Sequence, residues 1–131
     1  MATYLHQGRV AFHETDAAGI VHFAQFFRYA EEAETHALDS VGLIGSTSTK
    51  GMMIPRVHVE ADYHKPLRFW EHYTVHARIT QLGQSSMHWE FEVKQGELLC
   101  ASVRSISARL NHMGQKAPYT EEEREILSGL M

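Results

Sequence analysis

Hydrophobic and polar residues alternate along much of the second half of the chain. The alternating segments are residues 54–63, 72–82, 86–94 and 98–110. Period-two alternation is typical of strands that bury one face. In the third segment every second residue from Met87 to Val93 is apolar, and Gly96 predicts a hairpin turn after it. Four strands in a meander are therefore predicted.

The fourth segment carries an irregularity in this pattern. Its apolar phase shifts between Val103 and Ile106, so that large apolar side chains fall on both faces. A shift of this kind indicates either a β-bulge, which adds one residue to the strand, or a strand that is buried on both sides. The sequence leaves both interpretations open.

The first half of the chain has a helical segment after one short strand. Residues 3–14 alternate as a half-buried strand, with Val10 and Phe12 on one face. From Phe23 onward apolar residues recur at spacings of three and four, which predicts an amphipathic helix of about four turns. That helix should stop near Gly42, and the Ser, Thr and Gly residues of 45–51 predict a connection.

The predicted order is one strand, one long helix, four strands and a short helix at residues 120–130. Thr120 and Glu123 have the spacing of a capping box at the start of that last helix. A sheet wrapped around one amphipathic helix buries both apolar surfaces. We therefore expect a single α+β domain over residues 1–131, with an antiparallel sheet of about five strands around one long helix.

Composition and charge exclude several classes of protein. The formal net charge is −4, and nucleic-acid binding would need a basic face to neutralise phosphates. The single cysteine, Cys100, cannot form an internal disulfide, and residues 1–10 lack the apolar run of a signal peptide. No apolar stretch approaches the ~20 residues that cross a bilayer. We expect a cytoplasmic protein with no nucleic-acid partner and no membrane span.

A candidate catalytic carboxylate, Asp16, lies in the loop between the first strand and the helix. The first turn of a helix has unpaired backbone N–H groups and a partial positive charge, so it can stabilise an oxyanion. Gly19 would let the backbone approach a substrate closely. A carboxylate beside such a terminus could attack a carbonyl carbon or activate water. The alternative is that Asp16 only caps the helix or makes an Asx turn.

Two sequence blocks resemble the 4-hydroxybenzoyl-CoA thioesterase family of hotdog-fold acyl-CoA thioesterases. The first is Asp16-Ala17-Ala18-Gly19-Ile20-Val21-His22-Phe23-Ala24-Gln25-Phe26. The second is Ala61-Asp62-Tyr63-His64-Lys65-Pro66-Leu67-Arg68-Phe69. The order of elements agrees with that family from Thr3 to about Asn111. The resemblance implies a hotdog fold and hydrolysis of an acyl- or aroyl-CoA thioester to the free acid and CoA.

The resemblance also assigns roles by position. Asp16 matches the catalytic carboxylate of the family, as nucleophile or general base, and the backbone N–H of Phe23 matches the donor that polarises the thioester carbonyl. Apart from the resemblance, Gly19, His22 and Gln25 are candidate substrate-binding residues: His22 could hydrogen-bond substrate or water, and Gln25 could reach the acyl group, or either could be an ordinary polar residue. Many relatives carry Tyr then His where this chain has His22 then Phe23. Acyl preference therefore stays open between hydroxyaryl groups and short or branched aliphatic groups.

Partners and cofactors follow from the same reasoning. The histidines of the predicted strands lack the cysteine or carboxylate that would complete a zinc site, so no metal or other cofactor is expected. The resemblance implies a homodimer or homotetramer, since pairing subunits covers exposed sheet edges. Cations available for the CoA phosphates are Arg56, Lys65, Arg68, Arg104, Arg109 and Lys116. Alternatives are a hotdog dehydratase and a module that binds acyl-CoA or an acyl carrier protein without hydrolysis.

Overall fold

The computed structural model of the protein describes residues 3–43 and 54–131, so the connection predicted at residues 45–51 lies outside the described residues. It contains an α+β domain with a five-stranded antiparallel sheet. The elements in chain order are β1 (Tyr4–Arg9), a 3₁₀ turn (Phe12–Glu14), α1 (Gln25–Ser40), β2 (Arg56–Tyr63), β3 (His72–Leu82), β4 (Ser86–Gln95), β5 (Leu98–Ala108) and α2 (Glu121–Ser128).

The sheet has the strand order β1-β3-β4-β5-β2. The predicted meander is therefore correct for β3 to β5 and wrong for β2, which pairs with β5 rather than with β3. β2 stays paired with β5 to its end, where the backbone N–H groups of His64 and Lys65 both donate to the carbonyl of Cys100. Pro66 then lacks the N–H that a continuing strand would need. β1 and β2 are the two edges of the sheet.

The first strand ends five residues earlier than predicted, at Arg9 instead of Glu14. Phe12–Glu14 forms a 3₁₀ turn in which Thr15 N–H donates to the Phe12 carbonyl. The Glu14 carboxylate accepts from Ala11 N–H at 2.8 Å and stabilises the turn. Phe12 is 77% exposed, so its place in the alternating pattern does not reflect burial.

Helix α1 has sixteen residues and begins at Gln25 rather than at Phe23. Its buried side chains are Phe26, Tyr29, Ala30, Ala33, Glu34, Ala37 and Leu38. They face the inner side of the sheet, where the alternating residues of β3 and β4 are fully buried. The small alanines let the helix approach the large rings of Trp89 and Phe91, which stack at 5.5 Å in the core.

The phase shift predicted in the last strand has a different cause from either interpretation. Burial alternates regularly from Ala101 to Ala108, and the inward positions after Val103 are occupied by Ser105 and Ser107. Both serines are at most 2% exposed. The register irregularity between β4 and β5 lies instead opposite Val93, near the hairpin. Small polar residues on the buried face, not a bulge between 103 and 106, break the apolar pattern.

A carboxylate is buried between α1 and the sheet. Glu34 is 5% exposed, and its Oε2 accepts from Arg56 Nη2 at 2.9 Å. Burial raises the pKa of Glu34 to about 7, with Arg56 acting in the opposite direction. Its other oxygen, Oε1, has no hydrogen-bond partner among the described residues. Glu34 thus ties the edge strand β2 to the helix at a cost in desolvation.

The short C-terminal helix begins as predicted. Thr120 caps α2 by accepting from Glu123 N–H at 3.1 Å, and the Glu123 carboxylate accepts from Thr120 N–H at 2.9 Å. Leu127 is fully buried, and the Leu130 carbonyl accepts from Ile79 N–H at 2.8 Å. The helix therefore closes one end of the core. Across residues 3–43 and 54–131, neither helix is long and apolar enough to span a membrane.

Candidate active site

A tight loop carries Asp16 away from the sheet. Asp16 N–H donates to the Ile20 carbonyl at 2.8 Å, and Gly19 N–H donates to the Asp16 carbonyl at 3.0 Å. Gly19 has φ of 79°, the left-handed conformation that glycine adopts without a steric penalty. A bridge between Thr15 and Val21 closes the base of the loop. The loop geometry therefore requires a glycine at position 19, besides any contact that it makes with substrate.

The Asp16 carboxylate is exposed and makes one local hydrogen bond. Its Oδ1 accepts from Ala18 N–H at 2.8 Å, which is the Asx turn that the sequence left as an alternative. Its Oδ2 has no partner within the described residues. The loop therefore holds Oδ1, and Oδ2 is available to a ligand. The Asx turn orients the carboxylate and still leaves one of its oxygens available.

Asp16 lines a cavity of about 440 Å³ between the loop and β2. Its lining consists of Asp16, Ile20, Val21, Phe23, Phe26, Tyr63, His64, Lys65 and Pro66. Val21 and Phe26 are at most 5% exposed, so the floor of this cavity belongs to the hydrophobic core. The Tyr63 hydroxyl donates to the Phe23 carbonyl at 2.9 Å and fixes one wall. An apolar group would be desolvated here beside a carboxylate.

The N–H groups on either side of Phe23 make hydrogen bonds, whereas that of Phe23 makes none among the described residues. Ala24 N–H donates to His22 Nδ1 at 3.2 Å, and Gln25 N–H donates to the His22 carbonyl at 2.9 Å. In the part of the chain that the structure describes, Phe23 N–H makes no hydrogen bond. Phe23 precedes the first residue of α1 and lines the same cavity as Asp16. This N–H can therefore donate to a bound carbonyl oxygen.

The structure brings His22 and Gln25 near the loop but engages both with protein groups. The His22 ring stacks on Phe23 at 4.5 Å and accepts the Ala24 N–H, so it organises the start of α1. Gln25 Nε2 donates to Glu14 Oε2 at 3.2 Å. Neither residue is among those that line the cavities beside Asp16. Gly19 lines a second cavity that also includes Asp16.

Sequence reasoning missed Glu14, which ties the loop to the helix. Its carboxylate accepts hydrogen bonds from Gln25 Nε2, from the Tyr29 hydroxyl at 2.9 Å and from Ala11 N–H, while its carbonyl accepts from His22 N–H. Burial raises the pKa of Tyr29, and the hydrogen bond to Glu14 adds to the effect. The signal available in the sequence was an acidic residue two positions before Asp16, which alone does not distinguish it from a surface charge.

The second cavity beside Asp16 has a volume of about 570 Å³. It is lined by Phe12, His13, Thr15, Asp16, Ala17, Gly19 and Phe69. None of these side chains is buried, in contrast to the floor of the first cavity. Asp16 therefore lies between an apolar cavity that reaches the core and an open groove with exposed aromatic rings.

Four of the six cations that the sequence offered for phosphate binding are engaged by protein groups, among them Lys65, whose Nζ donates to Gln95 Oε1 at 2.6 Å. Arg56 pairs with Glu34, and Arg104 pairs with two carboxylates of β2. Arg109 forms a two-point contact with Glu123. Within residues 3–43 and 54–131, no group of three or more histidine, cysteine, aspartate or glutamate side chains could hold a metal ion.

Comparison with known proteins agrees with this fold. A family model described as the thioesterase-like superfamily matches residues 10–125. The 1,4-dihydroxy-2-naphthoyl-CoA hydrolase of Synechococcus elongatus is 30% identical over 125 residues, which cover 92% of each chain. The crystal structure of a 1,4-dihydroxy-2-naphthoyl-CoA thioesterase from Synechocystis superposes with a TM-score of 0.86 at 25% identity, over 98% of each chain.

A Thermus thermophilus protein described as hypothetical superposes with a TM-score of 0.91 at 24% identity, over 98% of this chain and 99% of the other, which supports the fold alone. The family model and the Synechococcus relative both span most of the chain, and they confirm the resemblance that the two sequence blocks predicted. The chain therefore belongs to the thioesterase-like superfamily of hotdog-fold acyl-CoA thioesterases, and it is a thioester hydrolase.

Proposed function

We propose that this enzyme hydrolyses an aroyl- or acyl-CoA thioester to the free acid and CoA, with Asp16 as nucleophile or general base. One observation carries the proposal. Asp16 and Phe23 line the same cavity, and that cavity combines a carboxylate, a backbone N–H without a partner among the described residues and an apolar floor. Thioester hydrolysis needs these three features together: a base or nucleophile, an oxyanion donor and a dry binding site for the acyl group.

The backbone N–H of Phe23 is the proposed oxyanion donor. A donor that is already oriented stabilises the charge that develops on the carbonyl oxygen, which in other enzymes is worth roughly 3–4 kcal/mol. The carbonyl of the same peptide group, that of His22, accepts from Gln25 N–H at 2.9 Å, and this bond restrains the peptide. Because the donor belongs to the backbone, the phenyl ring of Phe23 serves only as a cavity wall.

Asp16 can act by two routes that give the same products, the free acid and CoA. As a nucleophile, its Oδ2 attacks the carbonyl carbon, the C–S bond breaks, CoA leaves as a thiolate, and water then hydrolyses the mixed anhydride. As a general base, it removes a proton from water, whose oxygen attacks the carbonyl carbon, and the proton passes to the departing thiolate. A single turnover in ¹⁸O water distinguishes the routes, since only the anhydride route can place ¹⁸O in the Asp16 carboxylate.

The walls of the cavity favour an aromatic acyl group. Phe26 and Tyr63 meet edge to face at 5.5 Å, and Phe23 lines the cavity with them. Offset and edge-to-face contacts stabilise a third aromatic ring placed among them. The hydrolase of Synechococcus elongatus is named for a dihydroxynaphthoyl substrate. We therefore propose a hydroxyaryl acyl group before a short or branched aliphatic one.

A homodimer or homotetramer fits the edge strand β2. Seven of its eight residues are exposed, including Val57, Val59 and Tyr63, and β2 has a free hydrogen-bonding edge in the sheet order of the described residues. Exposed apolar edges favour pairing with a second copy. A cytoplasmic location and the absence of a cofactor stay predictions from the sequence.

Replacing Asp16 with asparagine tests the proposal. The asparagine side chain keeps an oxygen that can accept from Ala18 N–H, so the loop should persist while the reactive carboxylate is lost. We expect kcat for CoA release from a panel of aroyl- and acyl-CoA thioesters to fall by at least about a hundredfold. Asp39→Asn is a matched control on the exposed face of α1 and should retain full activity.

Two results would contradict the proposal. Turnover by folded Asp16→Asn close to that of the wild type would remove Asp16 from the chemistry. A wild-type protein that binds CoA but hydrolyses no member of the panel would instead favour a module that holds acyl-CoA without hydrolysis.

A further inference from the structure

Three aromatic side chains form an exposed cluster beside the open groove, and we name this cluster the aromatic platform. Phe12, Phe69 and Trp70 are 77%, 50% and 55% exposed. The rings of Phe12 and Phe69 meet edge to face at 5.8 Å, and the rings of Phe69 and Trp70 lie 6.0 Å apart. Single exposed apolar residues are common, but a contiguous aromatic group next to a candidate active site indicates a binding surface.

Trp70 is held in the platform by an unusual backbone conformation. Its φ is 69°, in the left-handed region that bulky side chains rarely adopt. Its N–H donates to the Val10 carbonyl at 3.0 Å, and its carbonyl accepts from Arg9 Nε at 2.8 Å. Strain of this kind persists only where surrounding contacts enforce it, and it concentrates at ligand-binding sites. The chain therefore maintains an exposed tryptophan in a costly conformation at this position.

The two cavities beside Asp16 differ in what they can receive. A thioester has two arms that diverge from the reacting carbonyl: the acyl group and the phosphopantetheine arm, which must lead out to solvent. The cavity that Val21 and Phe26 line has buried apolar side chains at its floor, so it suits the acyl group. The groove that Phe12 and Phe69 line has no buried residue and opens toward solvent, so it suits the arm that leaves.

We infer that the aromatic platform binds the phosphopantetheine arm of the thioester, with the apolar part of the arm across Phe69 and Trp70. This inference rests on the proposed function, because it takes the reacting carbonyl to lie beside Asp16. The methyl and methylene groups of the pantoyl part pack against the exposed rings, and the amides of the arm stay solvated in the open groove. The platform thereby sets affinity for the arm, independently of the acyl group.

Charge at the far end of the platform matches the end of the arm. The Arg9 guanidinium lies 4.1 Å from the centre of the Trp70 ring, and Arg9 is exposed. The arm ends in a phosphate, for which an arginine fork is a preferred partner. The protein groups therefore match the substrate groups in order: the Asp16 carboxylate lies at the reacting carbonyl, the aromatic rings at the pantoyl group, and the Arg9 guanidinium at the phosphate. Arg56, Arg104 and Arg109 are engaged in ion pairs, whereas Arg9 lies directly over a ring of the platform.

Truncated thioesters test the platform. One acyl group is presented on CoA, on pantetheine, which lacks the phosphate, and on N-acetylcysteamine, which also lacks the pantoyl part. Phe69→Ala should raise KM at least about tenfold for the CoA and pantetheine thioesters, and it should leave kcat/KM for the N-acetylcysteamine thioester unchanged. Met113→Ala, which removes an exposed apolar side chain in the turn beyond the C-terminal end of β5, at the end of the sheet opposite to Trp70, should change none of the three.

Arg9→Gln tests the contact with the phosphate separately from the contacts with the rest of the arm. It should raise KM for the CoA thioester and leave the pantetheine thioester unaffected. The same acyl group on an acyl carrier protein identifies the source of the arm: preference for the carrier assigns the arm to that protein, and preference for CoA assigns it to the free nucleotide. An equal loss for all three small thioesters in Phe69→Ala, or a changed oligomeric mass, would overturn the inference by making the platform an acyl site or a subunit contact.

Binding without turnover keeps this test independent of the proposed function. The chain has two tryptophans, and Trp89 is 1% exposed, so fluorescence changes on adding CoA report mainly on Trp70. We expect CoA to change the emission of the wild type, and Phe69→Ala to weaken that binding at least about tenfold. If no thioester is hydrolysed but this signal behaves as expected, the proposed function fails and the platform stands. If the enzyme is active but CoA leaves the emission unchanged and Phe69→Ala leaves every KM unchanged, the platform is refuted.

Discussion

Replacing Glu34 with glutamine should stabilise the protein, and the gain should grow as the pH rises. Burial raises the pKa of this carboxyl group to about 7, against an ordinary value of 4.5. Between these two pH values the folded protein keeps the proton whereas the unfolded chain releases it. The contribution of Glu34 to stability is therefore fully present below pH 4.5 and is lost as the pH rises through 7.

The magnitude follows from the difference between the two pKa values. Each tenfold change in proton affinity is worth about 1.4 kcal/mol, so the raised pKa of Glu34 lowers the free energy of unfolding, relative to its value at low pH, by about 3 kcal/mol at pH 8 and by about 1 kcal/mol at pH 5. Glutamine keeps an oxygen that can accept from Arg56 Nη2. The Arg56 side chain is 30% exposed and lies 3.9 Å from Glu31, so it retains water and a second carboxylate when Glu34 is neutralised.

Urea unfolding of wild type and Glu34→Gln from pH 5 to pH 8 measures this effect. The free energy of unfolding of the variant, relative to wild type, should rise by about 2 kcal/mol over that range. Glu31→Gln removes an exposed charge beside the same arginine and should change stability by less than about 0.5 kcal/mol. A variant that becomes progressively less stable than wild type toward pH 8 would mean that the ion pair with Arg56 outweighs desolvation, and would refute the reasoning.

Three further substitutions probe other contacts. Tyr29→Phe removes the hydrogen bond to Glu14 and should lower the free energy of unfolding by about 1–3 kcal/mol, with a fall in kcat; unchanged stability and turnover would argue against this network. Burial and the charge of the neighbouring His36 lower the pKa of His6, so wild type should lose stability relative to His6→Phe as the pH falls below 6.5, and a pH-independent difference would exclude this cause. Leu127→Ala should cost about 2–5 kcal/mol in urea unfolding, and a cost below about 1 kcal/mol would mean that α2 contributes little to the core.

Local pattern was sufficient where one face of an element is buried. The bounds of β3 were predicted without error, and β4 extends one residue further than its prediction, because both alternate between buried and partly exposed residues over most of their length. The pattern failed where polarity and burial diverge. Phe12 is apolar but exposed, so the first strand was predicted to be too long. Ser105 is polar but buried, so the last strand was predicted to contain a phase shift.

The surroundings of the candidate site depend on contacts between distant parts of the chain. The Asp16 loop and its glycine could be identified from one short run of sequence. The wall formed by Tyr63 could not, because its hydroxyl contacts a residue forty positions earlier, Phe23. The pairing of Ile20 with Arg68 likewise brings Phe69 to the groove. The periodicity of apolar residues within one strand or one helix holds no information on contacts between distant residues.

The strand order separates early from late steps of folding. The hairpins from β3 to β5 join neighbours in sequence, whereas Tyr4 of β1 pairs with Ala77 of β3 across most of the chain. Contacts between distant residues carry the larger loop-closure entropy and form more slowly. A hydrogen bond from Val21 N–H to the Leu67 carbonyl attaches the Asp16 loop to the rest of the fold. We therefore expect the loop to become ordered only after the segment around Leu67 is in place. During refolding, recovery of catalysis should therefore lag behind the burial of Trp89.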